Sequence, residues 1–251
     1  IIDNLTTGHK NLINKKAIFF KFDIGDKKKL SGVFQKYKIK TVIHLAGSLS
    51  VEESMKNPFK YYLNNVVSTK NLLEVCGLNN VEKFIFSSTC AIFGEGVKKV
   101  NALSMPNPTS HYGLTKFLCE QLIENYSKKF KFIYFNLRYF NVVGADNKLR
   151  VGPINQSGQL FKNLATNAKK KIFKLNVYGK NYNTKDGTCI RDYIDINDLS
   201  KIHINCLETK SIKKSISLNC GYGKGYSVLE IIKKFEKITG KKIKKIFRKA
   251  R

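Results

Sequence analysis

Tyr112 and Lys116 stand four residues apart, downstream of an apolar run that ends in three hydroxyls, Phe84-Ile85-Phe86-Ser87-Ser88-Thr89. Four apart on a helix places both side chains on one face. A phenol beside an ammonium is a way to lower a proton affinity. Free Tyr titrates near pH ~10, each unit of depression takes ~1.4 kcal/mol, and a nearby cation can supply a few units. On this reading Tyr112 is a base usable near neutrality, and Thr89 hydrogen-bonds the same substrate oxygen. A Y-x-x-x-K spacing also arises by chance in many helices. Here it follows a strand ending in Ser-Ser-Thr, with Pro106 and Pro108 punctuating the loop between.

The elements that must hold these residues alternate. Ile1-Ile2-Asp3-Asn4 reads as a strand end with an acidic tip, and Lys16 to Phe22 as the next strand, ending at Asp23-Ile24. Asp3 suits the ribose hydroxyls of a dinucleotide or a turn, and Asp23 suits a ligand or the cap of a helix over 27–38. Thr41 to Gly47 is a buried strand that finishes on Leu45-Ala46-Gly47, where small residues let a ligand approach the backbone. A helix over 59–77 carries Asn64 and Asn65; then come the Ser-Ser-Thr strand, the Tyr-Lys helix to about 129, and a strand over 132–142. Strand-helix alternation predicts a Rossmann-like, doubly wound parallel sheet. Past Ala145 the rhythm changes: a Gly- and Asn-rich loop (151–159), a helix over 160–170, a strand over 174–179, the stretch Asp186 to Leu199, a helix to Leu207, a strand over 215–219, a glycine turn, a helix over 228–239 and a last strand from Lys242. The expected division is residues 1–142 as a dinucleotide-binding domain, with 188–207 crossing back to it, and 143–187 with 208–251 as a smaller α/β substrate-binding lobe.

Composition excludes several classes. At 251 residues, 42% of them hydrophobic, the chain can bury a sizeable core. No run approaches the ~20 apolar residues that cross a bilayer. The net charge of +28 raises nucleic acid as a partner, but 41 of the 46 basic residues are lysine. Scattered lysine reads as a solvated surface rather than a nucleic-acid groove, which favours arginine forks and clustered aromatics. The six cysteines form no C-x-x-C and no group with the four histidines, so neither a metal site nor a disulfide framework is expected. Reduced thiols in a cytoplasmic protein are the simple reading.

Several stretches together resemble the UDP-glucose 4-epimerases, of the extended branch of the short-chain dehydrogenase/reductase superfamily, over essentially the whole chain. They are Asp3-Asn4-Leu5-Thr6-Thr7-Gly8; His44-Leu45-Ala46-Gly47 with Val51 and Glu53-Ser54; Ser87 to Gly94; Leu137 to Val142 with Gly144-Ala145; and Asp186 to Ile194. The resemblance implies NAD as cofactor and interconversion of UDP-glucose and UDP-galactose by oxidation at C4, rotation of the 4-keto sugar and re-reduction. It makes Thr89, Tyr112 and Lys116 catalytic. Around NAD it places Asp3, Asn4, Asp23, Ile24, Leu45, Ala46, Gly47, Asn65, Ser87, Tyr112, Lys116 and Tyr139. Around the UDP-sugar it places Thr89, Asn141, Leu160, Tyr178, Arg191 and Arg251, with Asn141, Arg191 and Arg251 on the diphosphate and Tyr178 near the uracil. Asn141 is otherwise a strand-end turn, and Arg191 otherwise a partner of Asp192 or Asp195. It further implies a homodimer through helices near 60–77 and 112–129.

The chain departs from that pattern in places. No G-x-G-x-x-G precedes Asp3, Phe93 stands where the family usually has Tyr, His111 replaces a common Pro, and Leu49 stands where some members have a basic residue. A fragment truncated at both ends is the expectation, and it could be inert. The rivals are a 4,6-dehydratase, a UDP-glucuronate epimerase, or a non-catalytic nucleotide-binding protein on the same fold. Dehydratases need an Asp-Glu pair after the catalytic hydroxyl, whereas Cys90-Ala91 follows Thr89.

Overall fold

Phe84, Ile85 and Phe86 have almost no exposed surface, and the strand that contains them is an interior strand of the largest sheet among the described residues. In the computed structural model, which describes residues 1–96, 99–153, 159–170 and 173–250, the chain divides into two compact units. The first comprises Ile1–Tyr139 and Lys201–Cys220, and the second Phe140–Ser200 and Gly221–Arg251.

In the first unit, β1 (Ile2–Asp3) and β2 (Phe20–Lys21) pair in parallel. Next come α1 (Lys27–Tyr37), β3 (Thr41–His44), α2 (Val51–Lys56) and α3 (Pro58–Tyr61), the last opened by proline where a missing N–H costs nothing. A π-helical turn, Tyr62–Val67, leads into α4 (Ser68–Leu78), β4 (Lys83–Thr89), a 3-10 turn at Cys90–Phe93, α5 (His111–Phe130) and β5 (Ile133–Tyr139). Strands β3, β4 and β5 lie side by side in parallel, Ile43 beside Ile85 and Ile85 beside Phe135. Alternation sends Phe84 and Phe86 to one face, where Leu30 and Phe34 of α1, Leu72 and Leu73 of α4, and Cys119 and Ile123 of α5 cover them. Each such fully buried side chain contributes roughly 1.5–3 kcal/mol.

The second unit holds β6 (Asn141–Val143), α6 (Leu160–Asn167), β7 (Lys174–Tyr178) and β8 (Ile190–Asp195). From it α7 (Ile196–Glu208) leads into β9 (Ile216–Cys220), after which β10 (Gly225–Ser227), α8 (Val228–Thr239) and β11 (Lys244–Arg248) follow. Strand β8 pairs with β6 in parallel and with β10 antiparallel, and β11 pairs with β7 in parallel. Leu164, Phe173, Leu175, Val177 and Ile232 form its core. Helix α8 opens with a reciprocal capping box between Ser227 and Glu230.

The expected division needs one correction. Strand β9, assigned from sequence to the smaller lobe, is the fourth strand of the main sheet, pairing with β5 from Phe135↔Ile216 to Tyr139↔Cys220. The segment that returns is therefore 201–220, not 188–207. One side chain secures it: the Lys83 ammonium donates to the carbonyls of Cys206, Leu207 and Thr209 at 2.9, 2.7 and 3.0 Å, closing the carboxyl end of α7.

Candidate active site

Strand β4 ends at Thr89, and its hydroxyl accepts the Ala91 N–H at 3.2 Å, turning the chain into the 3-10 turn. Helix α5 starts after Ser110, whose hydroxyl caps Gly113 N–H at 3.1 Å. This start must come very close to the turn. A Cβ on Gly113 would lie 2.5 Å from the Ala91 carbonyl oxygen, so only a bare backbone lets Tyr112 reach Thr89. Thr89 lies near enough to pull the Tyr112 pKa downward. Gly113→Ala is expected to push α5 off the turn and to lower turnover roughly 10–100-fold, as sub-ångström misplacement of a reacting group does. An unchanged kcat in a steady-state assay would contradict this account.

One helical turn beyond Tyr112, Lys116 is buried, its ammonium 2.8 Å from the Ser87 carbonyl oxygen and 4.8 Å from the Phe86 ring centre. Burial pulls its pKa down from 10.5 to about 8. Burial pushes Tyr112 the other way, up to about 12, against the downward pull of Thr89. Before any ligand binds, desolvation of the phenolate outweighs the helical spacing from Lys116, one N–H of whose ammonium is held by Ser87. Beneath them His44, its Nε2 2.8 Å from Thr69 Oγ1, is held neutral by burial and by the Lys116 charge, its pKa pulled down to about 3.

A measurable consequence follows for stability. Between pH 8 and 10.5 the unfolded chain keeps a proton on Lys116 that the folded chain has lost. Stability therefore rises with pH through that window. Relative to Lys116→Met, the wild-type chain should gain roughly 3 kcal/mol across it. Urea unfolding at the two ends of the window checks this, and equal stability differences at both would refute it.

Near β1, Asp3 accepts the Leu5 N–H at 2.6 Å, Asn4 donates to Asp23 at 2.8 Å, and Asp23 accepts the Gly25 N–H at 2.7 Å. The cap of α1 is Asp26, not Asp23, which leaves Asp23 with Asn4 and Asp3 as a cluster of acceptors. Ile24 packs against the core of this unit, and Leu45 and Ala46 are exposed at the end of β3. Gly47 has φ +152, and a Cβ there would meet Asn65 Oδ1 at 3.1 Å and Lys116 Nζ at 3.5 Å. Asn65, buried on the π-helical turn, accepts Ser48 N–H at 2.7 Å and donates to Thr115 Oγ1 at 3.1 Å. Carboxylate acceptors at one end and a bare glycine backbone beside an ammonium at the other are a donor set that suits a dinucleotide with two riboses. Tyr139 lies beside Thr89 in register.

In the second unit, pairing of β6 with β8 brings Asn141 to Arg191's strand, and Asn141 Nδ2 donates to the Asp192 carbonyl oxygen at 3.0 Å. The alternative role of Arg191 as partner to Asp192 or Asp195 is not what the structure holds. Asp192 accepts the N–H groups of Tyr222 and Gly223 at 3.2 and 2.8 Å, and Asp195 accepts from Asn197. The exposed Arg191 guanidinium donates to the Ile190 carbonyl oxygen. Leu160 packs on the core of this unit, and Tyr178 ends β7 opposite Arg248. Arg251 lies outside the described residues. No group of His, Cys, Asp and Glu among the described residues could hold a metal ion.

Two residues escaped the sequence. Glu120, four beyond Lys116, is buried, accepts the Ser88 hydroxyl and takes Arg138 through two N–H groups at 3.1 and 2.7 Å. The spacing Tyr112, Lys116, Glu120 was the available signal, since it puts all three on one face. His203 is the other; nothing but a helical position marks it.

Residues 1–221 match the NAD dependent epimerase/dehydratase family. A UDP-glucose 4-epimerase of Erwinia amylovora is 39% identical over 255 residues, covering 96% of this chain and 75% of that protein. The crystal structure of a UDP-glucose 4-epimerase from Brucella ovis in complex with NAD superposes with TM-score 0.91 at 35% identity, covering 100% of this chain and 78% of that one. Another, from Bifidobacterium longum in complex with NAD+ and UDP, gives TM-score 0.90 at 32% identity, with 100% and 78% covered.

Proposed function

The chain belongs to the NAD-dependent epimerase/dehydratase family, and from that premise we propose that it carries the catalytic half-sites of a UDP-glucose 4-epimerase, interconverting UDP-glucose and UDP-galactose. The observation that carries the reading is the assembly of Thr89, Tyr112 and Lys116 at the carboxyl end of β4, with the start of α5 pressed against the turn after Thr89 and Lys116 anchored on Ser87.

Thr89 orients the sugar 4-hydroxyl, and Tyr112 takes its proton and later returns it. The phenol resists ionisation in its buried setting, so Tyr112 is a base only with added positive charge nearby. Bound NAD would add that charge and would supply the hydride-accepting and hydride-donating chemistry that oxidation and re-reduction at C4 require. Lys116 would hold the nicotinamide ribose, Asp3, Asn4 and Asp23 the adenosine end, and Ile24, Leu45, Ala46, Gly47, Asn65, Ser87 and Tyr139 the walls between. Asn141, Arg191 and Arg251 would bind the diphosphate of the sugar nucleotide, a task suited to a guanidinium because its fork donates two parallel hydrogen bonds. Tyr178 and Leu160 would lie at the uracil. Cys90-Ala91 after Thr89 favours epimerisation over elimination.

We further infer a homodimer in the cytoplasm. Exposed Phe59, Leu63 and Val67, at spacings of four, give the α3–α4 segment an apolar face, and six free cysteines suit a reducing compartment. No helix among the described residues is long and apolar enough to cross a membrane.

The test is to purify the protein, measure nucleotide released on denaturation, and follow UDP-galactose to UDP-glucose without added cofactor. Conversion with bound NAD supports the reading; bound NAD without conversion overturns the epimerase assignment.

A further inference from the structure

Tyr139 ends β5 beside Thr89 of β4, and its phenol lies close enough to Tyr112 for the two to interact electrostatically. On its other side is His203 of α7. The rings are 5.6 Å apart at 59°, and the Tyr139 hydroxyl is 2.6 Å from His203 Nε2. Burial drives the Tyr139 pKa upward, so the phenol keeps a proton that it can donate. With the phenol donating, Nε2 is the acceptor and the ring proton sits on Nδ1. Across the strands Tyr139 pairs with Thr89, so His203, Tyr139 and Thr89 follow one another inside the first unit.

We propose that His203 is a positioning residue of the active site: its Nε2 fixes the rotation of the Tyr139 phenol, the cross-strand neighbour of Thr89, and with it the setting of Thr89 beside Tyr112. It acts through Tyr139, and it rests on the reading of Thr89 and Tyr112 as catalytic. A residue that merely fills space on α7 would need bulk there. A positioning residue needs an acceptor at the Nε2 place.

Two measurements separate these. The protein has four histidines, so long-range 1H–15N spectra of histidine-labelled protein resolve each ring without reference to activity. His203 is expected as the Nδ1–H tautomer in the wild-type protein, and an Nε2–H ring overturns the proposal. In turnover, His203→Leu should lower kcat roughly 10–100-fold, the scale of a displaced catalytic group, with KM for UDP-galactose within about 2-fold. His203→Gln, whose amide oxygen can accept where Nε2 does, should recover most of that loss, and His203→Asn should not. In a Tyr139→Phe background the Leu substitution should cost less than about 2-fold more. Should the Leu variant fail to fold, the comparison of Gln with Asn decides. Equal activity of Gln and Asn, an unchanged kcat in Leu, or independent losses in the double variant overturns the proposal. The expected tautomer in a wild-type protein that does not convert UDP-galactose overturns instead the epimerase reading on which it stands.

Discussion

Tyr112→Phe is expected to lower the turnover of UDP-galactose by about 10²–10⁴-fold, the usual worth of a positioned acid–base group. The ring would stay: it is half-buried at the first turn of α5, and only its hydroxyl is lost. KM should therefore change little, which identifies an interaction made in the transition state rather than in binding. The pH profile gives a second readout. With Tyr112 at about 12 and Lys116 at about 8 before any ligand binds, the wild-type profile should rise toward alkaline pH as the phenol is deprotonated more easily. The residual activity of the Phe variant should lose the limb that belongs to the phenol. Steady-state kinetics on both proteins across pH 6–10 (roughly the stable range) checks this. A Phe variant within 10-fold of wild type would remove Tyr112 from the mechanism.

The second large effect is on stability. Glu120 and Arg138 form a buried ion pair, their side chains 3% and 11% exposed, with Ser88 as a third member. Such a pair is weak evidence for net stabilisation, because both ions were taken out of water. Breaking it is another matter. Glu120→Leu leaves the Arg138 guanidinium buried without a counter-ion, at a cost of about 3–5 kcal/mol. In a chain of this size that is a fall in melting temperature of roughly 10 °C. The double variant Glu120→Leu with Arg138→Met should recover most of it, and calorimetry on the single and double variants decides. A double variant no better than Glu120→Leu would mean that Glu120 matters for Ser88 and the strand end rather than for the charge.

Much of this site was legible in the sequence because the signals were local. A strand that ends in Ser87-Ser88-Thr89 and a Tyr and Lys one helical turn apart need only the periods of strand and helix to be placed. The alternation of strands with helices was equally readable, and the parallel β3-β4-β5 sheet is its result. What escaped depends on distant partners. That β9 completes the first sheet could not be seen from its own five residues, whose pattern suits either unit. Nor did anything mark Gly113 as the point where α5 touches the Ala91 carbonyl, and the spacing that put Glu120 on the Tyr112 face did not name Arg138 as its partner. How strongly the unliganded fold resists ionisation of Tyr112 was illegible for a related reason. Spacing gives the neighbour, but the cost of desolvation belongs to the whole surrounding fold.

The late arrival of β9 bears on how the protein is made. Strand β5, with Phe135 and Leu137 fully buried in the finished molecule, stays an open hydrogen-bonding edge until residues 216–220 have been synthesised. At ~5–20 residues per second, the segment between them occupies a ribosome for roughly 4–15 s. During that interval the nascent chain presents a sticky parallel edge on the side of β5 away from β4 while the second unit emerges. At the first residue of β4, Lys83 waits without the three α7 carbonyls that its ammonium will clasp. Slow translation ahead of α7 would therefore lengthen the aggregation-prone stage, and chaperone dependence in a recombinant host should track codon choice in that stretch more than in any other.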